Sequence, residues 1–284
     1  MKSHITVRLD RLRVVSWAPR GGWRLPRLRG FDIVKDHRLS PLNSPTYERI
    51  RRLKSRASDT KVHWHYKRRV GWVKPWRITI IADDQKGITA KEVASILGRC
   101  RHYRFVLAEL AIDFSDGSPV DRDFVKKHGI FGKSRRRTDR GGKGQLRYGA
   151  RKSAKLVRCY RKKQIQAYRV EVEVHSQLLK KHHIEKRDDV PDVALIVHPK
   201  HFRFVRIRWK VLRRYMKARF GDGAEKVMEA TREHAEVSLT KALKYLRGMG
   251  VTNTHRFLTP MHINKAVAEA LMKWLMDFEE GLNG

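Results

Sequence analysis

Tyr160 lies in Arg158-Cys159-Tyr160-Arg161-Lys162, where flanking cations can lower a phenol pKa and hold a phosphodiester for attack. The chemistry on offer is transesterification: the phenolic oxygen displaces a 3′-hydroxyl and stays joined to the phosphate. The plainer alternative is a half-buried strand tyrosine whose basic neighbours only touch phosphate, and Tyr168 is the second candidate. Two pairs of acids accompany them. Glu109 and Asp113 are four residues apart on one expected strand, and Glu171 and Glu173 are two apart on another, so each pair shares a strand face. If those strands are neighbours, three or four carboxylates converge. Such a group repels itself and partly protonates unless a divalent cation holds it ionised and takes its oxygens as ligands. The competing reading pairs the acids with the chain's many bases on a solvated face. His63-Trp64-His65 also sets two imidazoles on one strand face. It reads as a weak metal pattern, and better as part of a basic, aromatic DNA-contact stretch with Trp64, Tyr66, Trp72 and Trp76, although tryptophans are more often core.

The elements that must position these residues are partly visible. Arg77 to Ile81 is β-branched and ends in a turn-like Asp83-Asp84-Gln85-Lys86-Gly87. Thr89-Ala90-Lys91-Glu92 has the spacing of a capping box ahead of a stripe of Val93, Ile96 and Leu97. Phe105 to Phe114 reads as the next strand, and strand, helix, strand suggests an α/β unit. Gln145–Gly149 and Lys155–Tyr160 read as a hairpin, and Tyr168 to His175 alternates strictly, with Val170, Val172 and Val174 on one face. After Pro191 the pattern turns helical: Val211 to Phe220, a longer run from Asp222 to Gly248, and a last helix from Thr259-Pro260 to about Glu280.

Composition bounds the partner. The 284 residues carry 65 Lys+Arg against 29 Asp+Glu, a net charge of +36, with 40% hydrophobic residues. That is enough apolar material to bury a core and too much charge for an acidic small molecule; nucleic acid or an anionic membrane surface fits. The sequence starts without the apolar run of a signal peptide and contains nothing near the roughly 18 apolar residues of a membrane span, so a soluble, cytoplasmic protein without a membrane partner is expected. Cys100 and Cys159 are too few for a disulfide framework or a zinc site and are expected as reduced thiols. Residues 1–76 hold 20 Lys+Arg against 5 acids with scattered Gly and Pro and are expected to form a basic irregular arm. A mobile basic loop is expected from Gly132.

Three passages in order resemble a family. Glu109-Leu110-Ala111-Ile112-Asp113 is similar to the acid strand of the plasmid and phage rolling-circle replication initiators of the Rep-trans type, with relatives among filamentous phages. Tyr148 to Lys162, including Tyr148-Gly149-Ala150-Arg151-Lys152-Ser153 and Arg158-Cys159-Tyr160-Arg161-Lys162, looks like that family's tyrosine signature. Arg169-Val170-Glu171-Val172-Glu173 looks like its Arg-x-Glu-x-Glu strand. The trio spans about residues 77 to 185. It departs from the family where Glu109 replaces the common Asp, Ala150 replaces Ser, and Lys162-Lys163-Gln164 replaces acidic residues.

The resemblance implies an α+β fold whose antiparallel-sheet nicking domain carries flanking helices, a catalytic tyrosine and a divalent metal, Mg2+ or Mn2+. By position, Glu109, Asp113 and Glu171 become ligand candidates, Tyr160 the preferred nucleophile and Lys162 a phosphate-positioning cation. Backbone contacts to DNA are expected from Arg135, Arg136, Arg137, Arg140, Lys143, Arg151, Lys152 and Arg158. The expected organisation is an arm at 1–76, a nicking domain at 77–190 and a mainly helical region at 191–284 with a DNA-recognition role. The expected action is origin nicking for rolling-circle replication on a hairpin or single strand of DNA, with a host helicase and a second copy of the chain as further partners. The alternative is a non-enzymatic DNA-binding regulator on the same skeleton.

Overall fold

A computed structural model describes residues 5–17, 27–42, 44, 46–68, 75–82, 87–100, 102–115, 117–131, 137–138, 145–149, 153–197 and 203–283. The strands are β1 (Ile5–Trp17), β2 (Phe31–Arg38), β3 (Tyr47–Ser55), β4 (Lys61–Arg68), β5 (Pro75–Ile81), β6 (His102–Phe114), β7 (Gly129–Ile130), β8 (Arg137–Thr138), β9 (Leu146–Tyr148), β10 (Lys155–Lys162), β11 (Ala167–His175), β12 (Arg203–Ile207) and β13 (Leu258–Pro260). The helices are α1 (Ala90–Leu97), α2 (Arg122–His128), α3 (Ser176–Lys181), α4 (Val193–Val197), α5 (Trp209–Phe220), α6 (Ala224–Val237), α7 (Leu239–Gly248) and α8 (Ile263–Asn283).

The architecture is α+β. Ten strands form one antiparallel sheet in the order β2-β3-β4-β5-β1-β6-β11-β10-β9-β8. One face is apolar: Leu9, Leu12, Val14, Ile78, Ile80, Leu110, Ile112, Val170, Val172 and Val174 are almost fully buried on it. Helix α8 packs against β1, α1 against α8, and α3 and α4 against β6. In β1, β6, β10 and β11 the opposite face carries the charged residues. The capping box forms as expected, with Thr89 accepting from the Glu92 backbone and Glu92 returning the bond to Thr89.

The first 76 residues are not an irregular arm. They supply β1 to β4 and the start of β5, and β1 lies between β5 and β6, hydrogen-bonded to both. The expected strand, helix, strand unit of β5, α1 and β6 is therefore split, with β1 inserted antiparallel between two strands that run parallel to each other. The arm was hidden because its strands carry Arg and Lys side chains on both faces, Arg49 and Arg51 opposite Tyr66 and Trp64 and Arg52 and Lys54 opposite His63 and Lys61, which reads as charge rather than alternation.

The C-terminal region also divides differently from the expected boundary at 191. Val205, Leu212, Met216, Met228, Leu243, Leu246 and Phe257 form a second core around α5, α6 and α7. Helix α8 instead contributes Val267, Leu271, Leu275 and Phe278 to the core of the large sheet. The single helix expected from Asp222 to Gly248 is broken at Ser238, whose extended backbone and side chain cap α7 by accepting from Lys241. Thr259-Pro260 does not start the last helix; it lies in β13, paired with β12, and α8 begins at Ile263. Cys100 and Cys159 are buried free thiols. Among the described residues, no helix is long and apolar enough to cross a membrane.

Candidate active site

Four strands bring the charged residues together. Glu109 and Asp113 come from β6, Arg169, Glu171 and Glu173 from β11, and Arg158, Tyr160 and Lys162 from β10. In cross-strand register Glu173 lies opposite Glu109, Arg169 opposite Asp113, Arg158 opposite Glu171 and Tyr160 opposite Arg169, so these side chains share one face. The fourth strand adds a residue absent from the sequence reading. Between Leu9 opposite Leu110 and Arg11 opposite Glu109, the register of β1 slips by one residue. The extra residue is Asp10, and the bulge turns it towards the carboxylates.

The convergent group is Asp10, Glu109 and Glu171, each offering an oxygen within 4.8 Å of the others. It shares two members with the expected ligand set and exchanges the third. Asp113 is held elsewhere, by the Arg169 Nε at 2.6 Å and Nη2 at 3.0 Å and by an ion pair with Arg8. Arg169 is fully buried, and its Nη1 donates to Asp10 at 3.2 Å. A bidentate, desolvated pair of this kind fixes geometry. Arg8 packs closely on Gly87, whose φ is +75° and where a Cβ would lie 2.7 Å from the Arg8 Cβ.

Glu109 has a different environment. One oxygen accepts from Arg158 at 2.6 Å; the other, Oε1, is buried without a hydrogen-bond partner among the described residues. Burial, and then the neighbouring Glu171, push its carboxyl up to about 8. Arg158 also reaches Glu171 at 2.9 Å. It was expected to contact DNA; here its guanidinium lies against the acids. Burial works against its charge, but Glu109, Glu171 and Glu173 outweigh this and raise its pKa.

Tyr160 donates its hydroxyl to Glu171 Oε1. The expected lowering of its pKa by flanking cations is reversed: burial, with Glu171 at the hydroxyl, pushes the phenol up. Lys162 stands at the end of the same strand face, its pKa lowered by burial and by Arg169. Tyr168 has the opposite parity on β11 and lies on the apolar face with Val170, its hydroxyl buried and unpartnered among the described residues. The structure thus brings Tyr160, Lys162, Glu109, Glu171 and Arg158 together and leaves Tyr168 on the far side of the sheet.

Three buried carboxylates with hard oxygen donors, one of them unpartnered, fit a small divalent cation such as Mg2+ or Mn2+ better than a thiophilic metal. His63 and His65 lie on β4 and are not members of this group. Trp64 and Trp76 are buried edge to face at 5.3 Å, in the core rather than on a stacking surface. Trp72, Arg135, Arg136, Arg140, Lys143, Arg151 and Lys152 lie outside the described residues, and for Arg137 only the backbone in β8 is described. Asp10 could have been found from the phase of β1: Val7 and Leu9 alternate, then Leu12 and Val14 resume one residue out of step, which is the pattern of a bulge.

No family model matches the chain, and no curated protein sequence matches it. Among solved structures the chain is similar to a rolling circle replication initiator protein from Geobacillus stearothermophilus, at 13% identity over 71% of this chain and 87% of that one, with a TM-score of 0.43.

Proposed function

We propose that the protein is a replication initiator that nicks one strand of origin DNA through Tyr160 to start rolling-circle replication. The observation that carries this reading is the hydroxyl of Tyr160 hydrogen-bonded to Glu171 within a group of three converging carboxylates. The ordered motif trio in the sequence supports it independently.

In the proposed step the Tyr160 Oη forms a bond to phosphorus as the bond from phosphorus to the 3′-oxygen breaks. The phenolic proton passes to Glu171, and the 3′-oxygen leaves as a hydroxyl after taking a proton from water. The raised phenol pKa makes Glu171 necessary, because the free tyrosinate is scarce at neutral pH. Lys162 neutralises phosphate charge, and Arg169 holds Asp10 and Asp113 in place. Asp10, Glu109 and Glu171 would hold a divalent cation, which supplies charge neutralisation and polarises the phosphate oxygens. Glu109 must lose its proton and Arg158 must swing off it for that to happen.

One observation favours the second reading, a DNA-binding regulator without nicking activity: Arg158 lies on Glu109 and Glu171 as an internal cation. The deciding experiment incubates the full chain with single-stranded DNA of its own replicon and Mg2+ or Mn2+, followed by a denaturing gel. The nickase gives a covalent protein–DNA band that needs metal and disappears in Tyr160→Phe while DNA affinity is kept. Tight binding with no band under any metal establishes the regulator instead. Binding should weaken about 10³- to 10⁵-fold from 50 to 200 mM salt if 6 to 10 phosphates are neutralised.

A further inference from the structure

The charged face of the sheet continues past the acids across β1, β5, β4 and β3, and there its character changes. Cross-strand register lines up three rows. One runs Arg11, Ile81, Lys61, Lys54; the next Arg13, Thr79, His63, Arg52; the third Val15, Arg77, His65, Ile50. Eight of these twelve positions are Arg, Lys or His, and none is an acid. Adjacent strands are about 4.8 Å apart, so each row extends about 14 Å away from the acid group.

These cations crowd one another. Burial, then Arg77 and Arg11, lower the pKa of Arg13, and burial, then Arg77 and His63, bring His65 down to about 4, leaving it neutral. The Nε atoms of Arg11, Arg13 and Arg77 and the Nδ1 of His65 are buried with no hydrogen-bond partner among the described residues. Arg11 and Lys54 have acid partners in Glu109 and Asp59, but among the described residues no carboxylate pairs with Arg13 or Arg77, and a polyanion relieves the repulsion between them.

We infer that this face is the track of a single DNA strand, running perpendicular to β1, β5, β4 and β3 and delivering its phosphates to the acid group. The inference rests on DNA being the substrate, as proposed above, and adds where the strand lies. The middle row is one side chain wide and starts at Arg13, next to Arg11, which reaches Glu109 at 3.7 Å. In the adjoining row the neutral ring of His65 is packed against the ring of Tyr47 at 5.7 Å, so the single-strand width of the track comes from the middle row.

The test measures binding of a labelled oligothymidylate as a function of salt, in Tyr160→Phe protein with EDTA so that no cleavage occurs. Arg13→Gln/Arg77→Gln should lower affinity roughly tenfold and shrink the slope of log affinity against log salt by about 1.4, two phosphates on a single strand. Its melting temperature should hold or rise, because the two guanidiniums no longer repel. Arg52→Gln, an exposed position at the outer end of the row, should shrink the slope by about 0.7 and keeps the test decisive if the double variant fails to fold. Lys226→Gln/Lys273→Gln, on exposed faces of α6 and α8, should change neither. An unchanged slope in Arg52→Gln, an equal loss in the α6 and α8 control, or an equal effect on duplex DNA would overturn the inference. A missing covalent band in wild type with this binding pattern intact would defeat the nickase and leave the track standing.

Discussion

Glu109 and Asp113 sit four residues apart on β6, point to the same face and are almost completely buried, yet their surroundings differ in kind. Asp113 is saturated: Arg169 grips both its oxygens and Arg8 adds a second cation. Glu109 has Arg158 and, at 3.7 Å, Arg11 on one oxygen and no hydrogen-bond partner on the other among the described residues, with Glu171 and Asp10 close by. One end of the strand is a clamp, and the other is a site with ligand capacity left over. Buried acids that look alike in sequence thus separate by how completely their oxygens are used, and an unsatisfied one needs an explanation beyond folding.

The comparison breaks most clearly in activity. Glu109→Gln takes from the convergent group the carboxyl that must ionise to hold a metal, without changing its shape, so the yield of covalent protein–DNA adduct per unit time should fall by about 10³-fold, and Mn2+ binding followed by calorimetry should weaken with it. The fold should be unharmed, because a buried carboxylate with a strongly raised pKa gives up little when it becomes an amide. If Glu109→Gln nicks as well as wild type, the unsatisfied oxygen is a structural accident.

Asp113→Asn should act on stability instead. Removing one partner of a buried ion pair leaves Arg169 facing the interior with part of its charge uncompensated, a loss of about 3 kcal/mol in urea unfolding. Asp10 still accepts from Arg169, which keeps the loss at the lower end for such a pair. Equal stability losses in the two variants would erase the distinction between clamp and site.

Much of this contrast was legible in the sequence, and the part that was not has a physical cause. The alternation of Tyr168 to His175 sets Glu171 and Tyr168 on opposite faces, so Tyr168 could have been excluded by parity alone. The spacing of Glu109 and Asp113 gives their common face but says nothing about which would meet an arginine, since Arg8 and Arg169 arrive from strands far away in the chain. Asp10 was concealed twice, by the phase slip of its bulge and by the basic composition around it. The N-terminal strands were missed because Gly and Pro in their connections suggested an irregular segment, whereas pairing with β6 decides the structure of β1.

A titration sharpens the same comparison. The Glu109 carboxyl ionises at about 8 in the folded chain against 4.5 ordinarily. The folded state therefore binds the extra proton between those values, and the metal-free protein should lose stability as pH rises from about 4.5 to about 8. Below 4.5 the contribution is fully present, because both states are protonated. Thermal unfolding in EDTA across this window should show the decline, and Glu109→Gln should flatten it. Added Mn2+ should also flatten it, by binding the ionised carboxylate.

The smallest expected effect concerns the tyrosine on the other face. Tyr168 keeps its hydroxyl buried among apolar neighbours with no partner among the described residues, and burial raises its pKa further from ionisation. Deleting that oxygen removes an unsatisfied group rather than a hydrogen bond, so Tyr168→Phe should leave stability within about 1 kcal/mol of wild type, or slightly above it. The covalent adduct should form at the wild-type rate, because the ring still fills its place beneath β10 and no charged residue of the site touches it. Loss of the adduct in Tyr168→Phe, with Tyr160 intact, would mean that the sheet can present its second face to DNA, and the assignment of chemistry to the charged face would fail.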